Sequence, residues 1–289
     1  MLEWWRKFYI KKGWLIVYRL KAPFRAIKRF LLKHFTISRV AIIFILITVF
    51  IIYLTRFPLE ELWVSLIPEF ISIAITIIII DAIYNKRSED EQKNILIGKM
   101  GSNNNNVATE AWEELDARGW GSDGSLRGKF LISTNLDGNS FTGADMRNVM
   151  LSFSSLKNTT WIETDLEGAS LDHTDFTNST LSSYPDGPFI PEANLKDVSL
   201  FNANLMNARV RHEQLIQVRT LSGAIMPDGK KYDGRYRLPS EVERIKRFIR
   251  KRGGDIESPG LIAAYYGVPV EDYIAGQKWA DRHPQLFKK

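Results

Sequence analysis

Four histidines and no cysteine leave few side chains that could carry chemistry. Without thiols, disulfides, thiolate nucleophiles and the usual zinc and iron–sulfur ligands are excluded. The histidines, His34, His173, His212 and His283, are scattered, and only Asp172-His173-Thr174-Asp175 sets one among carboxylates. An imidazole between two acids could serve as a general base or hold a metal. Either role needs a pocket that perturbs its pKa. The local spacing turns Asp172, His173 and Asp175 outward onto a polar surface instead. No glycine-rich phosphate loop, metal-ligand spacing or nucleophile elbow occurs. The sequence therefore predicts no catalytic, cofactor-binding or metal-binding residue, and no enzyme.

What positions Asp172–Asp175 is a strict period of five. Large apolar residues stand at Leu126, Leu131, Leu136, Phe141, Met146, Leu151, Leu156, Trp161, Leu166, Leu171, Phe176 and Leu181. Two residues before them the side chain is usually small, as at Thr134, Ala144, Ser154, Thr159, Thr164, Ala169, Thr174 and Ser179. After a turn-rich step through Tyr184–Pro188 the phase resumes at Leu195, Leu200, Leu205 and Val210. One such unit cannot bury a core alone, so the units must stack. Ala144-Asp145-Met146, Thr164-Asp165-Leu166, Ala193-Asn194-Leu195 and Ala203-Asn204-Leu205 resemble the pentapeptide-repeat family, close to Ala-Asp/Asn-Leu-x-x. That resemblance implies a right-handed quadrilateral β-helix with four units per turn. Sixteen units would make about four coils and a rod roughly 20 Å long. Lys129 and Asn139 break the small-residue position, so the first coil is expected to be irregular. The family includes acidic rods that mimic DNA. Here eight basic residues stand among twelve acidic ones over 120–226, which does not suit that role.

Four residues of the predicted rod are apolar at outward positions: Phe130, Ile132, Met150 and Phe153. Phe130 and Met150 are twenty residues apart, which places one directly below the other. Exposed apolar patches bind partners, so these four form the candidate protein-binding patch. The competing expectation is that the chain's own helix bearing Trp112 and Leu115 covers them.

The flanking regions suggest location. Residues 1–56 carry twelve Lys/Arg against one acid, and Val40–Thr55 contains no charge. A second apolar run covers Phe70–Ile80, with Pro68-Glu69 where a helix would begin. The pair predicts a two-helix transmembrane hairpin, and the basic bias places both termini in the cytoplasm at the inner (cytoplasmic-type) membrane. The lead before it, rich in Trp and Lys/Arg, suits an anionic lipid surface.

The expected fold class is a membrane-anchored α+β chain. Residues 1–38 would be a basic amphipathic interfacial segment and 39–84 the hairpin. A charged linker and capping helix follow over 85–119, with Met100–Asn106 as a flexible joint. The β-helix spans 120–236 and a C-terminal helical cap 237–289. In that last region a Ser240/Glu243 capping box would start a helix with Val242, Ile245, Phe248 and Ile249 on one face, before helices at 259–266 and 270–282. The expected function is a non-catalytic membrane-tethered scaffold for protein–protein docking. Its partners would be membrane lipid through the N-terminal region, and another membrane-associated protein or a homo-oligomer. The alternative is a regulatory nucleic-acid-binding protein using the basic C-terminal helices. Nucleic acid is the weaker expectation, because Glu271-Asp272 would open the second helix of that pair and repel phosphate.

Overall fold

The computed structural model describes residues 60–183 and 191–287. The basic lead, the first apolar run and the Tyr184–Pro188 turn lie outside them. The chain divides into two compact units, Met1–Glu91 and Gln92–Lys289.

Helix α1 (Glu60–Met100) contains the second apolar run. It is continuous through the expected linker, and Pro68 lies inside it instead of at its start. Asn85–Asn94 stays helical because its residues are good helix formers, supported by Arg87–Glu91 one turn apart at 3.2 Å. Its last turns bury Leu96, Ile97 and Met100, spaced three to four apart as a helical face requires. Among the described residues no helix is long and apolar enough to cross a membrane. The first arm of the expected hairpin lies outside those residues.

The second unit is a coil stack. Parallel bridges join residues twenty apart, from Phe130 to Met150 through Thr160 to Thr180. Four bridging positions per coil, five residues apart, make each coil four-sided. Beyond Leu181 the step becomes twenty-nine, as in Asp165 to Asn194, and the same columns continue. The loop thus adds nine residues without shifting the register. Gln214, in the single-turn α3 (His212–Leu215), sits at the base of this loop. Its Nε2 donates to the carbonyls of Leu181 and Ala193, at 2.9 Å each. The described residues form no extended strand; the ladder consists of isolated bridges.

The period of five places residues as expected. Every large residue from Leu126 to Leu181 is buried, and Phe141 stacks on Trp161 at 4.4 Å. The small inward position favours Ser and Thr because it sits beside turn carbonyls. Thr164 Oγ1 donates to Phe141 O at 2.7 Å and Ser179 Oγ to Leu156 O at 2.7 Å. Those hydroxyls are thereby satisfied in a dry interior.

Two expectations about the ends fail. The asparagine run is not a loose joint. Asn104 caps helix α2 (Asn105–Ala117), accepting from Asn106 N, and Asn105 Nδ2 donates to Asn135 Oδ1 and Asp137 O. The Ser240/Glu243 capping box does not form either. Helix α4 (Pro239–Arg250) starts with Pro239 at its first position, and Glu243 pairs with Lys246. Proline's fixed φ starts the helix two residues earlier, with Leu238 instead of Ser240 at the N-cap. As a result Glu241 turns inward and Val242 turns out. Helices α5 (Pro259–Tyr266) and α6 (Val270–Arg282) occupy the expected ranges.

Candidate protein-docking face

Residues two after each large inward side chain turn the corner between sides, and they do so in the left-handed region. Glycine or asparagine fills most of these corners, for example Gly138, Asn148, Asn158 and Gly168. Both tolerate positive φ at little cost. Among the corners that hold neither, Phe153 at φ +64° is, with Glu163 and His173, one of the bulky ones. A bulky side chain in that region is a genuine outlier, and nothing in the stack requires one there.

Phe153 does not stand alone. Its ring stacks on His173 at 4.6 Å with 7° between planes. His173 in turn meets the edge of Phe201 at 5.5 Å. The bridge from Phe130 to Met150 brings those two residues onto the same side, with Ile132 between the bridging column and the corner column. Phe130 is 71 % exposed and Phe153 61 %, and Ile132 and Met150 are exposed as well. All four sequence-predicted patch residues therefore share one outward face. The face is longer than expected, because His173 and Phe201 extend it over four coils. Their signal was present in the sequence: His173 takes a corner that glycine or asparagine usually holds, and Phe201 follows inward Leu200.

This face is electrically quiet. Its outward columns hold Phe130, Ile132 and Ser133, then Met150, Ser152 and Phe153, then Ser170, Asp172 and His173, then Ser199, Phe201 and Asn202. Asp172 is the one charge among them, and its Oδ1 accepts from Ser199 Oγ and from Phe201 N. The ion pairs lie on other sides, among them Arg127–Asp145, Arg147–Asp165 at 3.3 Å and Lys196–Glu167 at 2.6 Å. Asp175 belongs to one of those sides, paired with Lys157 at 3.3 Å. The Asp172-His173-Thr174-Asp175 run is thus divided between two sides, with Thr174 turned inward. No acid–base constellation assembles. Among the described residues no group of His, Asp and Glu could hold a metal ion.

Helix α2 does not cover the patch. It turns Ala108, Ala111, Trp112 and Leu115 onto the first coil. Trp112 Nε1 donates to Ser140 O at 2.8 Å, and its ring lies 4.8 Å from Phe141. That burial uses the two largest apolar side chains of the helix.

A family model for pentapeptide repeats matches residues 151–182, in eight copies. That segment of the stack is built of pentapeptide repeats. Similar solved pentapeptide-repeat proteins include Rfr23 from the cyanobacterium Cyanothece 51142, at 26% identity and TM-score 0.23, over 34% of this chain and 54% of that one. HetL from Nostoc sp. strain PCC 7120, a protein involved in heterocyst differentiation regulation, is 23% identical with TM-score 0.27, over 35% of this chain and 48% of its own. A pentapeptide-repeat protein of the Arabidopsis thaliana thylakoid lumen is 21% identical with TM-score 0.27, over 43% and 74%. The present chain thus spans about half the length of the first two. No curated protein matches it.

At the far end of the repeats sits a group that the sequence reading missed. Glu241 is fully buried, and its Oε1 accepts from Thr220 Oγ1 and Leu221 N at 2.8 Å and from Ser222 N at 2.9 Å. Oε2 accepts from Tyr266 OH at 2.9 Å. Burial raises its pKa above the usual carboxylate range, and these donors oppose the rise. In sequence it reads as an ordinary first-turn acid two residues after Pro239, and its burial against the coil end is visible only in the fold. The group ties α4 and α5 to the final coil. Of the three C-terminal helices only α4 carries a net positive charge; α5 has no charged residue, and α6 opens with exposed Glu271 and Asp272.

Proposed function

We propose that the protein is a non-catalytic scaffold, tethered to a membrane by its N-terminal region, that docks a partner protein on the apolar face of its repeats. The observation that carries this reading is Phe153, a bulky exposed residue kept at a backbone corner where asparagine would sit without strain. Strain retained at an exposed position points to use. The tether is supported by the uncharged run Val40–Thr55, by the basic lead and by the exposed isoleucines Ile71, Ile73, Ile75, Ile79 and Ile83 on α1. The basic bias supports a cytoplasmic location for the repeats.

Two measurements test the reading. Single cysteines at Ser38, Glu60 and Gly101 report topology. Glu60→Cys should react with an impermeant reagent in intact cells, while Ser38→Cys and Gly101→Cys should not; the reverse pattern overturns the orientation. For docking, a Ser152→Cys thiol should be protected in native membranes relative to Thr142→Cys on another side. Equal labelling of the two thiols would refute a docked face.

A further inference from the structure

We infer that the occupant of the apolar face is a second copy of the same chain, seated face to face about a two-fold axis. The inference rests on the docking reading and names its partner.

Charge selects the class of partner. The outward columns of this face hold no lysine or arginine, so neither a phosphate-bearing lipid nor a nucleic acid has anything to pair with. Asp172 is already engaged by Ser199 and Phe201. Two such faces bring together one hydrogen-bonded carboxylate each and no other ion, whereas a partner rich in surface ions would have many more to desolvate.

Shape and order along the coils select the copy. Along the coils the face runs from Phe130 and Ile132 at one end, through Met150 and Phe153, to His173 and Phe201 at the other. An antiparallel two-fold arrangement lays one copy's Phe130 end over the other's Phe201 end, so each half covers what the other exposes. Both faces repeat at the same coil spacing of about 4.8 Å, so their ridges fall into register. A two-fold contact is also the commonest way identical chains pair. The axis would pass close to Ser152 and Ser170, whose hydroxyls lie 3.0 Å apart in the middle of the face.

Area permits it. Given the size of aromatic side chains, the exposed parts of Phe130, Ile132, Met150, Phe153 and Phe201 present about 500–600 Å² of apolar surface. Two copies would bury roughly 1,000–1,200 Å², at the lower limit of a specific interface. Confinement to a membrane would raise the effective concentration and favour such a contact.

The chain has no cysteine, so one introduced thiol reports its own contacts. The full chain in mild detergent should sediment as a dimer. Ser152→Cys should form a disulfide-linked dimer on mild oxidation, and Thr142→Cys should not. Phe153→Asn relieves the corner while deleting the central ring, so it should melt no lower than the native chain yet self-associate roughly thirty-fold more weakly. A Phe153→Asn chain that stays dimeric overturns the inference. So does a native chain that remains monomeric with Ser152→Cys unlinked. If Ser152→Cys is nevertheless protected in membranes, the docking reading stands with a different partner; if it is unprotected there as well, both fall together.

Discussion

Trp112 and Glu241 hold equivalent places at opposite ends of the coil stack, each reaching from a helix onto a terminal coil. The first contact is mainly carbon. Trp112 lies on Phe141, Leu115 is buried beside it, and the polar additions are neutral: Trp112 Nε1 to Ser140 O, and Asn139 Nδ2 to Thr109 Oγ1 at 2.9 Å. The second contact is a carboxylate accepting four hydrogen bonds, close to the buried rings of Tyr232 and Tyr266. An open coil end has unpaired backbone groups as well as apolar side chains to satisfy. The first end meets mostly the apolar need and the last end mostly the polar one. The two should therefore fail under different conditions.

The largest effect removes the comparison altogether. Leu151 lies fully inside the stack, so Leu151→Asp would bury an unpaired carboxylate and cost several kcal/mol, comparable with the whole stability of a small domain. Both ends should then unfold together. Asn178→Asp, on an exposed corner with φ +61°, loses only a solvent-exposed donation to Asn158 Oδ1 and should shift the melting temperature far less. Similar shifts for the two variants would refute the five-residue phase.

Trp112→Ala breaks the first end alone. It removes the ring from Phe141 and leaves a cavity, a cost of about 3–5 kcal/mol. Hydrogen exchange should rise at Asn105–Ala117 and in the first coil, and remain slow at Tyr232–Tyr266. Uniform acceleration across the stack would mean that the ends are not separable.

Glu241→Ala is the matching break at the other end. It leaves Leu221 N, Ser222 N, Thr220 Oγ1 and Tyr266 OH without their acceptor, costing about 2–3 kcal/mol. Glu241→Gln keeps one acceptor oxygen and should lose less. Exchange should accelerate in α4 and α5 while Trp112 stays protected.

These two ends were unequally legible. The helical face Ala108, Ala111, Trp112 and Leu115 follows from spacing alone, because apolar burial leaves a periodic trace. The inward positions of the coils follow the same way, and so do the outward Phe130, Ile132, Met150 and Phe153. Glu241 leaves no such trace. A buried acid looks in sequence like any first-turn glutamate, and only the N–H groups of Leu221 and Ser222 opposite it decide its role. The strain at Phe153 is intermediate. The turn column is visible as Gly and Asn every five residues, but its backbone sign becomes visible only in the fold. The continuity of α1 was missed for a simpler reason. A charged stretch reads as linker until an i,i+4 pair and a buried Leu96–Met100 turn show it to be helix.

The smallest effect, and the sharpest contrast, is with pH. The contacts of the first end contain no titrating group among Trp112, Leu115, Phe141, Asn139 and Thr109. The last end contains several, and two of them, His212 and Glu241, are shifted so as to act in opposite directions on acidification. His212, whose Nδ1 lies 2.6 Å from Tyr236 OH and whose ring is 4.9 Å from Trp279, has its pKa lowered from the usual 6.5 by burial, aided by the nearby charges of Arg235 and His283 and opposed by Glu213. Its contribution is complete above about 6.5 and is lost as the pH falls from there through the folded value, because the undocked ring takes up a proton first. Glu241 is the reverse. Its folded pKa is raised above the usual 4.5, so falling pH protonates the docked carboxyl first and adds stability until about 4.5. The urea midpoint reported by Trp279 fluorescence should therefore dip on acidification below 6.5 and recover partly toward 4.5, while exchange protection at Trp112 relative to the intrinsic rate stays level. His212→Asn should remove the dip, and Glu241→Gln should remove the recovery. If both variants follow the native curve, neither group controls the last end, and its difference from the first is one of packing alone.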